Sequence, residues 1–487
     1  MIRSITPAEA GIQKEALQRF LTAIRHHGVN LHSMLMLRGD DLFFEKYWAP
    51  FEKDTIHRMY SVTKSFVSIA VGCLLDEGKI SLSDPIIKFF PDKLPEKIHP
   101  WLAEQTIEDM LTMRTCFWEG PYWLTPGVED RTAFYFAQTP TKIPGTLFHY
   151  DSNGSYILGV MVERVSGMGL LDYLKEKVLN HLGDFESAQI LKTPDGSPWG
   201  DSALVCTSRA LLKFAKFVMN KGVWEGKRLL SEGYLSKAVS PLTDNNLEGA
   251  SHYDSYGYGY QIWCTEKHGF SFNGMGSQFA ICLPEQDFVF VCNGDTQLTS
   301  QRDSPVIFRE VFRFVESEIE KKEALDDLDA PLSLSVAKGE KHSDFEKEIN
   351  GKTFICDENP MGISRFRLEW NEKGEGCFLY ENAQGEKQLP FGMKENAFGK
   401  FPQLGYSDEY GNVHEITDFK YACAASAGWV EEKKLQLRVQ IIDRYFGILI
   451  INIAFKDENR CSLRMMKQAE DFLNEYQGWL NAIAQEK

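Results

Sequence analysis

The 487-residue chain has no CxxC pair, no HExxH element and no cluster of cysteines and histidines at metal-ligand spacing. Its ten cysteines (73, 116, 206, 264, 282, 292, 356, 377, 423 and 461) are scattered, so zinc and dithiol redox chemistry lack their usual ligands. Cys73, Cys282 and Cys292 stand in apolar runs, where a reduced thiol behaves as a small core residue. His26 and His27 are adjacent rather than spaced as ligands, and no metal or other cofactor is expected. Long hydrophobic runs are missing too: the longest, 65–75 and 446–455, are about half the ~20 residues of a spanning helix. Basic residues are in the minority, 53 Lys and Arg against 69 Asp and Glu, which removes the cationic surface that nucleic acid requires. The opening MIRSITPAEAGIQKEALQRF has neither an apolar core nor a small-residue cleavage site. The expectation is therefore a cytoplasmic protein with no nucleic-acid and no membrane partner.

What is present is the composition of a folded protein: 43% hydrophobic and 25% charged residues exclude disorder and collagen-like repeats. At roughly 150 residues per domain the length predicts two or three domains. Residues 11–27 read as an amphipathic helix, and SMLMLRGDDLFFEKYW (33–48) as a hairpin turning at Arg38-Gly39-Asp40. Helical patterns follow at 61–78, 106–113, 155–166, 169–180 and 207–220, and a second hairpin at 278–295 turns at Pro284–Asp287. The charged run IEKKEALDDLDAP, closed by Pro331, reads as a linker. Beyond it strands dominate: RFRLEW (365–370), GCFLYE (376–381), LQLRVQII (435–442) and FGILIINIAF (446–455). In LQLRVQI the alternation of Leu435, Leu437, Val439 and Ile441 with Gln436, Arg438 and Gln440 predicts a sheet with one wet face. The closing AEDFLNEYQGWLNAIA has a helical look. These boundaries divide the chain into a domain over 1–320, a linker over 321–345 and a β-rich domain over 346–487 ending in a helix.

Chemistry concentrates in RMYSVTKSFVSIAVGCLL (58–75), where Ser61 and Lys64 precede an apolar helix. Residues i and i+3 are surface neighbours on a helix, so hydroxyl and amine can share a proton. Serine is a weak nucleophile without a base in contact, and burial disfavours the charged form of an amine, which suits a lysine to that task. The bland alternative is a first-turn or N-capping serine. A second S-x-x-K, Ser335 to Lys338, has no apolar helix after it and reads as coincidence. Two further segments bear on the choice. In PGTLFHYDSNGSYILG (144–159), Tyr150 and Ser152 stand at Y-x-S spacing before a helix; a phenol beside an amine can shuttle a proton. In GFSFNGMGSQFAICLP (269–284), Gly274 and Gly276 bracket Met275 ahead of a strand, where a backbone N–H can face a developing oxyanion. Each has a structural alternative, a half-buried aromatic in the first and a glycine turn in the second.

The ordered set of Ser-x-x-Lys, Tyr-x-Ser and a glycine-bearing segment resembles the serine β-lactamase and penicillin-binding-protein superfamily, nearest its class C β-lactamase, esterase and D-aminopeptidase branch, which also includes nylon-oligomer hydrolases. The similarity runs through 1–320. It implies an α+β domain, an antiparallel sheet flanked by helices with a helical lobe, and the C-terminal strands are similar to the lipocalin-type β-barrels appended in some members. It implies Ser61 as acyl-accepting nucleophile, Lys64 as base or shuttle, Tyr150 as the proton donor to the leaving group, and the N–H groups of Ser61 and Met275 as oxyanion hole. Ser152 would take the third place of the second motif, where many relatives carry Asn. The third motif, Lys or His then Thr then Gly in β-lactamases, aligns with Phe272-Asn273-Gly274, or alternatively with His268-Gly269-Phe270. Either way the cation that meets a substrate carboxylate is missing or displaced. Trp118, Tyr122 and Trp123 in CFWEGPYWL are placed to line a pocket or, equally, to pack a loop on the core. The implied partner is a small ester, amide or peptide-like substrate, and a homo-oligomer is compatible with the sequence. A catalytically silent peptide- or ligand-binding module on the same fold is the competing expectation.

Overall fold

Strand Phe288–Gly294 sends Phe288, Phe290 and Cys292 into one apolar cluster and Val289 and Val291 into another. Period-2 alternation with both faces apolar requires cover on both sides. The computed structural model describes the chain except residues 1, 119–126, 250–251, 322–332, 372–373, 405, 408–413, 416–419, 444–445, 470–471 and 486–487, and the side chains of 406, 407, 414 and 415. In it this strand is central to a seven-stranded sheet ordered Arg3–Ser4, Asp41–Tyr47, Leu31–Arg38, Phe288–Gly294, Gln278–Leu283, Gly269–Gly274 and Trp263–Thr265. All neighbours are antiparallel except the first pair, so the sheet is mixed at one edge. Helices Lys14–His26 and Ser300–Phe314 cover one face through Phe20, Ile24, Phe308 and Phe312. The other face carries Thr63–Asp76 and Ser208–Met219, beyond which lies a helical lobe including Ile107–Leu111, Arg131–Ala137 and Ser152–Ser166. Both hairpins form where the sequence places them.

The C-terminal part is a closed barrel of nine strands among the described residues. Closure comes from parallel pairing of Gly392 and Met393 with Ser426 and Ala427. Phe354, Phe366, Phe378, Phe391, Leu437, Val439, Ile451 and Leu463 fill its interior.

Three expectations are corrected here. The chain does not end in a helix: Gly478–Ala484 is a strand between Arg460–Gln468 and Thr353–Cys356, with Leu480 and Ala482 inward. Those two strands would otherwise leave an open barrel edge, and pairing there overrides local helix propensity. The segment 321–345 is not wholly a free linker, since Ala337 donates its N–H to Ser426 Oγ at 2.9 Å, Glu340 bridges to Trp429 and Phe345 lies in the barrel core. The polar side of LQLRVQI is not wet. Gln436 is 2% exposed, its amide donating to Asn246 O (3.0 Å) and to Asn452 Oδ1 (2.9 Å). Alternation reports two environments, and here the second is the first domain rather than solvent.

That polar barrel wall docks on two segments of the first domain. Lys434 pairs with Asp244, Asn452 donates to Leu247 O, and Arg438 donates to Gly249 O. Asn481 donates to Thr141 O (3.0 Å) and accepts from Ile143 N (3.3 Å), and Thr146 Oγ1 donates to Ser462 Oγ (3.1 Å). The segment 141–147 runs directly into Tyr150.

Candidate active site

The site begins where short strand Ile56–Arg58 pairs with Leu204–Thr207. Met59 N–H continues that ladder to Leu204 O at 2.8 Å, and Leu204 N–H is taken by Thr63 Oγ1 at 3.0 Å. Between these anchors Tyr60 holds φ at 46°, a left-handed conformation unusual for an aromatic residue. Its ring is covered by the Arg58 guanidinium at 4.8 Å. Ser61 follows in the single 3₁₀ turn Tyr60–Val62, ahead of helix Thr63–Asp76. A first-turn residue has no earlier carbonyl to accept its N–H, so the Ser61 amide is left for other use. Thr63 to Leu74 are all buried, as expected of a helix apolar on every side.

Lys64, 1% exposed, turns back along this helix. Its Nζ donates to Ser61 Oγ at 3.0 Å and to Asp201 O at 2.7 Å, and it lies 5.0 Å from the centre of the Tyr150 ring. Asp201 reaches it because residues 201–203 enter the strand that anchors Met59. Tyr150 stacks on Trp263 at 5.3 Å and meets Tyr258 edge-on at 6.4 Å. The next residue, Asp151, fixes the backbone: its carboxylate caps helix Ser152–Ser166 at Gly154 N (3.1 Å) and accepts from Thr115 Oγ1 (2.8 Å). Burial raises the Asp151 carboxyl above its usual range, while these bonds and Lys142 act against it. Ser152 is the first residue of that helix.

Gly274 closes the site. A Cβ there would run into Met59 O, so only glycine lets this end of strand Gly269–Gly274 lie against the turn that carries Ser61. Met275, 51% exposed, follows at the tip of the hairpin. The register with Phe272-Asn273-Gly274 is thus the one at the site. His268 stands six residues back, roughly 20 Å along an extended strand, exposed and paired with Glu285.

The structure separates the remaining candidates. Phe272 is fully buried against Phe214 (5.4 Å) and Phe270 (5.8 Å); it packs the core and lines no open surface, which corrects its assignment to substrate. The Asn273 amide is buried with no hydrogen-bond partner among the described residues. Trp118 is also reassigned: at 7% exposure it lies between His149 (4.8 Å) and Trp479 of the barrel (5.2 Å), with Arg464 over its ring at 4.9 Å. It packs the domains together instead of facing a pocket. Tyr122 and Trp123 lie outside the described residues. Sequence reasoning missed Asp201, whose contribution is a carbonyl with no residue-type signature, and Trp263, which was visible in YGYGYQIW but not singled out. Among the described residues no three His, Cys, Asp or Glu gather as a metal site and no helix is long and apolar enough to cross a membrane.

Residues 17–306 match the family model described as Beta-lactamase. The chain is 26% identical to the 6-aminohexanoate-dimer hydrolase of Paenarthrobacter ureafaciens over 296 residues, covering 56% of this chain and 74% of that protein. It is also 26% identical to Esterase EstB of Burkholderia gladioli over 195 residues, 36% of this chain and 48% of that one. A solved structure from Bacillus anthracis, provisionally named a 6-aminohexanoate-dimer hydrolase, shares the fold with a TM-score of 0.53 at 17% identity, covering 62% of this chain and 82% of that one. With the family model spanning more than half its length, the chain belongs to the Beta-lactamase family.

Proposed function

We propose that the protein is a serine hydrolase that cleaves a small ester or amide through an acyl-enzyme on Ser61. The observation that carries this is the 3.0 Å bond between Lys64 Nζ and Ser61 Oγ, made by an amine sealed from solvent between Asp201 O and the Tyr150 ring. Lys64 takes the Ser61 proton as Oγ bonds the substrate carbonyl carbon. Tyr150, beside Lys64, passes a proton to the departing alcohol or amine. The N–H groups of Ser61 and Met275 receive the oxyanion, and water releases the acyl group by the same path reversed. Oxyanion donors of this kind contribute about 10²–10³ each in rate.

The names of the relatives, a 6-aminohexanoate-dimer hydrolase and an esterase, support the substrate class. The third motif offers Asn273 and a buried Phe272 where a cation would greet a carboxylate, which favours substrates without one there and disfavours β-lactams. Short-chain p-nitrophenyl esters, D-amino-acid amides and β-lactams, assayed on wild type and Ser61→Ala, test the proposal. Turnover of an ester or amide that vanishes in Ser61→Ala is expected. Turnover that survives the substitution contradicts it.

A further inference from the structure

Gln278 is a buried side chain, 2% exposed, that the reaction above leaves unused. It starts the strand after the Met275 hairpin, and the two hydrogens of its Nε2 are shared among three backbone carbonyls: Gly294 O at 2.7 Å, Gly276 O at 3.1 Å and Met275 O at 3.3 Å. Carbonyls only accept, so the NH₂ of this amide must face them and Oε1 must face away. There Asn293 Nδ2 donates to it at 2.9 Å. The Asn293 carbonyl in turn accepts from Ser208 Oγ at 2.6 Å and Ser33 Oγ at 3.1 Å. Ser33, Ser208 and Asn293 are at most 1% exposed, and each orientation follows from the one before.

The two ends of this chain of bonds meet the two halves of the oxyanion hole. The hairpin end ties the carbonyls of Met275 and Gly276, within a loop where Gly276 and Ser277 both hold positive φ (79° and 67°). Such a loop keeps its shape only when its surroundings fix it. At the other end Asn293 Nδ2 lies 3.8 Å from Met59 Sδ, two residues before Ser61, and it is the Met59 carbonyl that Gly274 packs against.

We infer that the buried Gln278–Asn293 amide pair positions the Met275 N–H relative to Ser61, holding the oxyanion hole formed before substrate arrives. This rests on the serine-hydrolase reading. Gln278 touches no reacting atom; it acts through the backbone.

The test is the saturation kinetics of a fluorophosphonate on the full chain, since phosphonylation of Ser61 places an oxygen in the same hole. In Gln278→Met, which keeps length but loses the donors, the maximal labelling rate should fall about ten- to hundredfold. The concentration for half-maximal rate should stay within about threefold, because the hole acts on the transition state. A merely structural role would lower the melting temperature and leave the maximal rate of the folded protein alone; that result overturns the inference. Wild type that takes no label overturns the hydrolase reading and this one with it, whereas labelled wild type with an equally fast Gln278→Met removes this one only. Should Gln278→Met not fold, Ser208→Ala decides: it deletes one remote hydroxyl, so a severalfold slower maximal rate supports the inference and an unchanged rate overturns it.

Discussion

The contact between Ser61 and Lys64 was legible because hydrogen bonding across one helical turn is a property of spacing, and the apolar run after them announced a buried helix. Lys64→Ala should slow acylation by about 10²–10⁴, the usual loss of a general base, while Ser61→Ala abolishes it; ester turnover measures both. Gly274 carries a sharper expectation. Gly274→Ala forces the strand away from Met59 O, so turnover should fall at least about tenfold and stability by ~1–3 kcal/mol, as overpacking does, read from paired kinetics and urea unfolding. Aromatic residues misled at this scale. Phe272 and Trp118 have the chemistry of pocket walls, but whether a ring faces solvent or a neighbouring domain is decided by tertiary packing. Asp201 could not be found at all, since any residue supplies a carbonyl.

Elements with a strong period were legible in place and type. The helix Ser208–Met219 and the two hairpins of the first sheet stand as the pattern required. The terminal strand was not, because its identity depends on two partners more than a dozen residues away. The segment leading into Tyr150 shows another long-range effect. Lys142 is 1% exposed with Nζ donating to Leu147 O at 2.8 Å, and burial pushes its amine down from the ordinary 10.5 to about 7. Between those values the unfolded chain binds a proton that the folded protein does not, so stability rises with pH from about 7 toward 10.5 and is lost again as pH falls to 7. The slope from this group is at most ~1.4 kcal/mol per pH unit. Urea midpoints at pH 7, 8 and 9 should climb more steeply in wild type than in Lys142→Met; parallel profiles would remove the buried amine from the account.

At the scale of the molecule, a two-part organisation followed from the change of pattern near residue 320, but the contact between the parts did not. Gln436 and Arg438 read as solvent-facing and instead, together with Asn452, complete the backbone hydrogen bonds of 246–249. Asn481 does the same for Thr141 and Ile143, on the segment that leads into Tyr150. Asn481→Leu would strand these buried groups at about 1–3 kcal/mol each, partly offset by relaxation, so a loss of ~2–4 kcal/mol in denaturant unfolding is expected together with slower acylation. Loss of stability with undiminished acylation would show that the barrel does not support the Tyr150 segment. The most direct test of the whole account is the intact mass of the full chain after incubation with a fluorophosphonate. The account predicts one adduct, carried on the peptide containing Ser61 and absent from Ser61→Ala. A folded wild type that gains no mass, or an adduct that persists in Ser61→Ala, would contradict it.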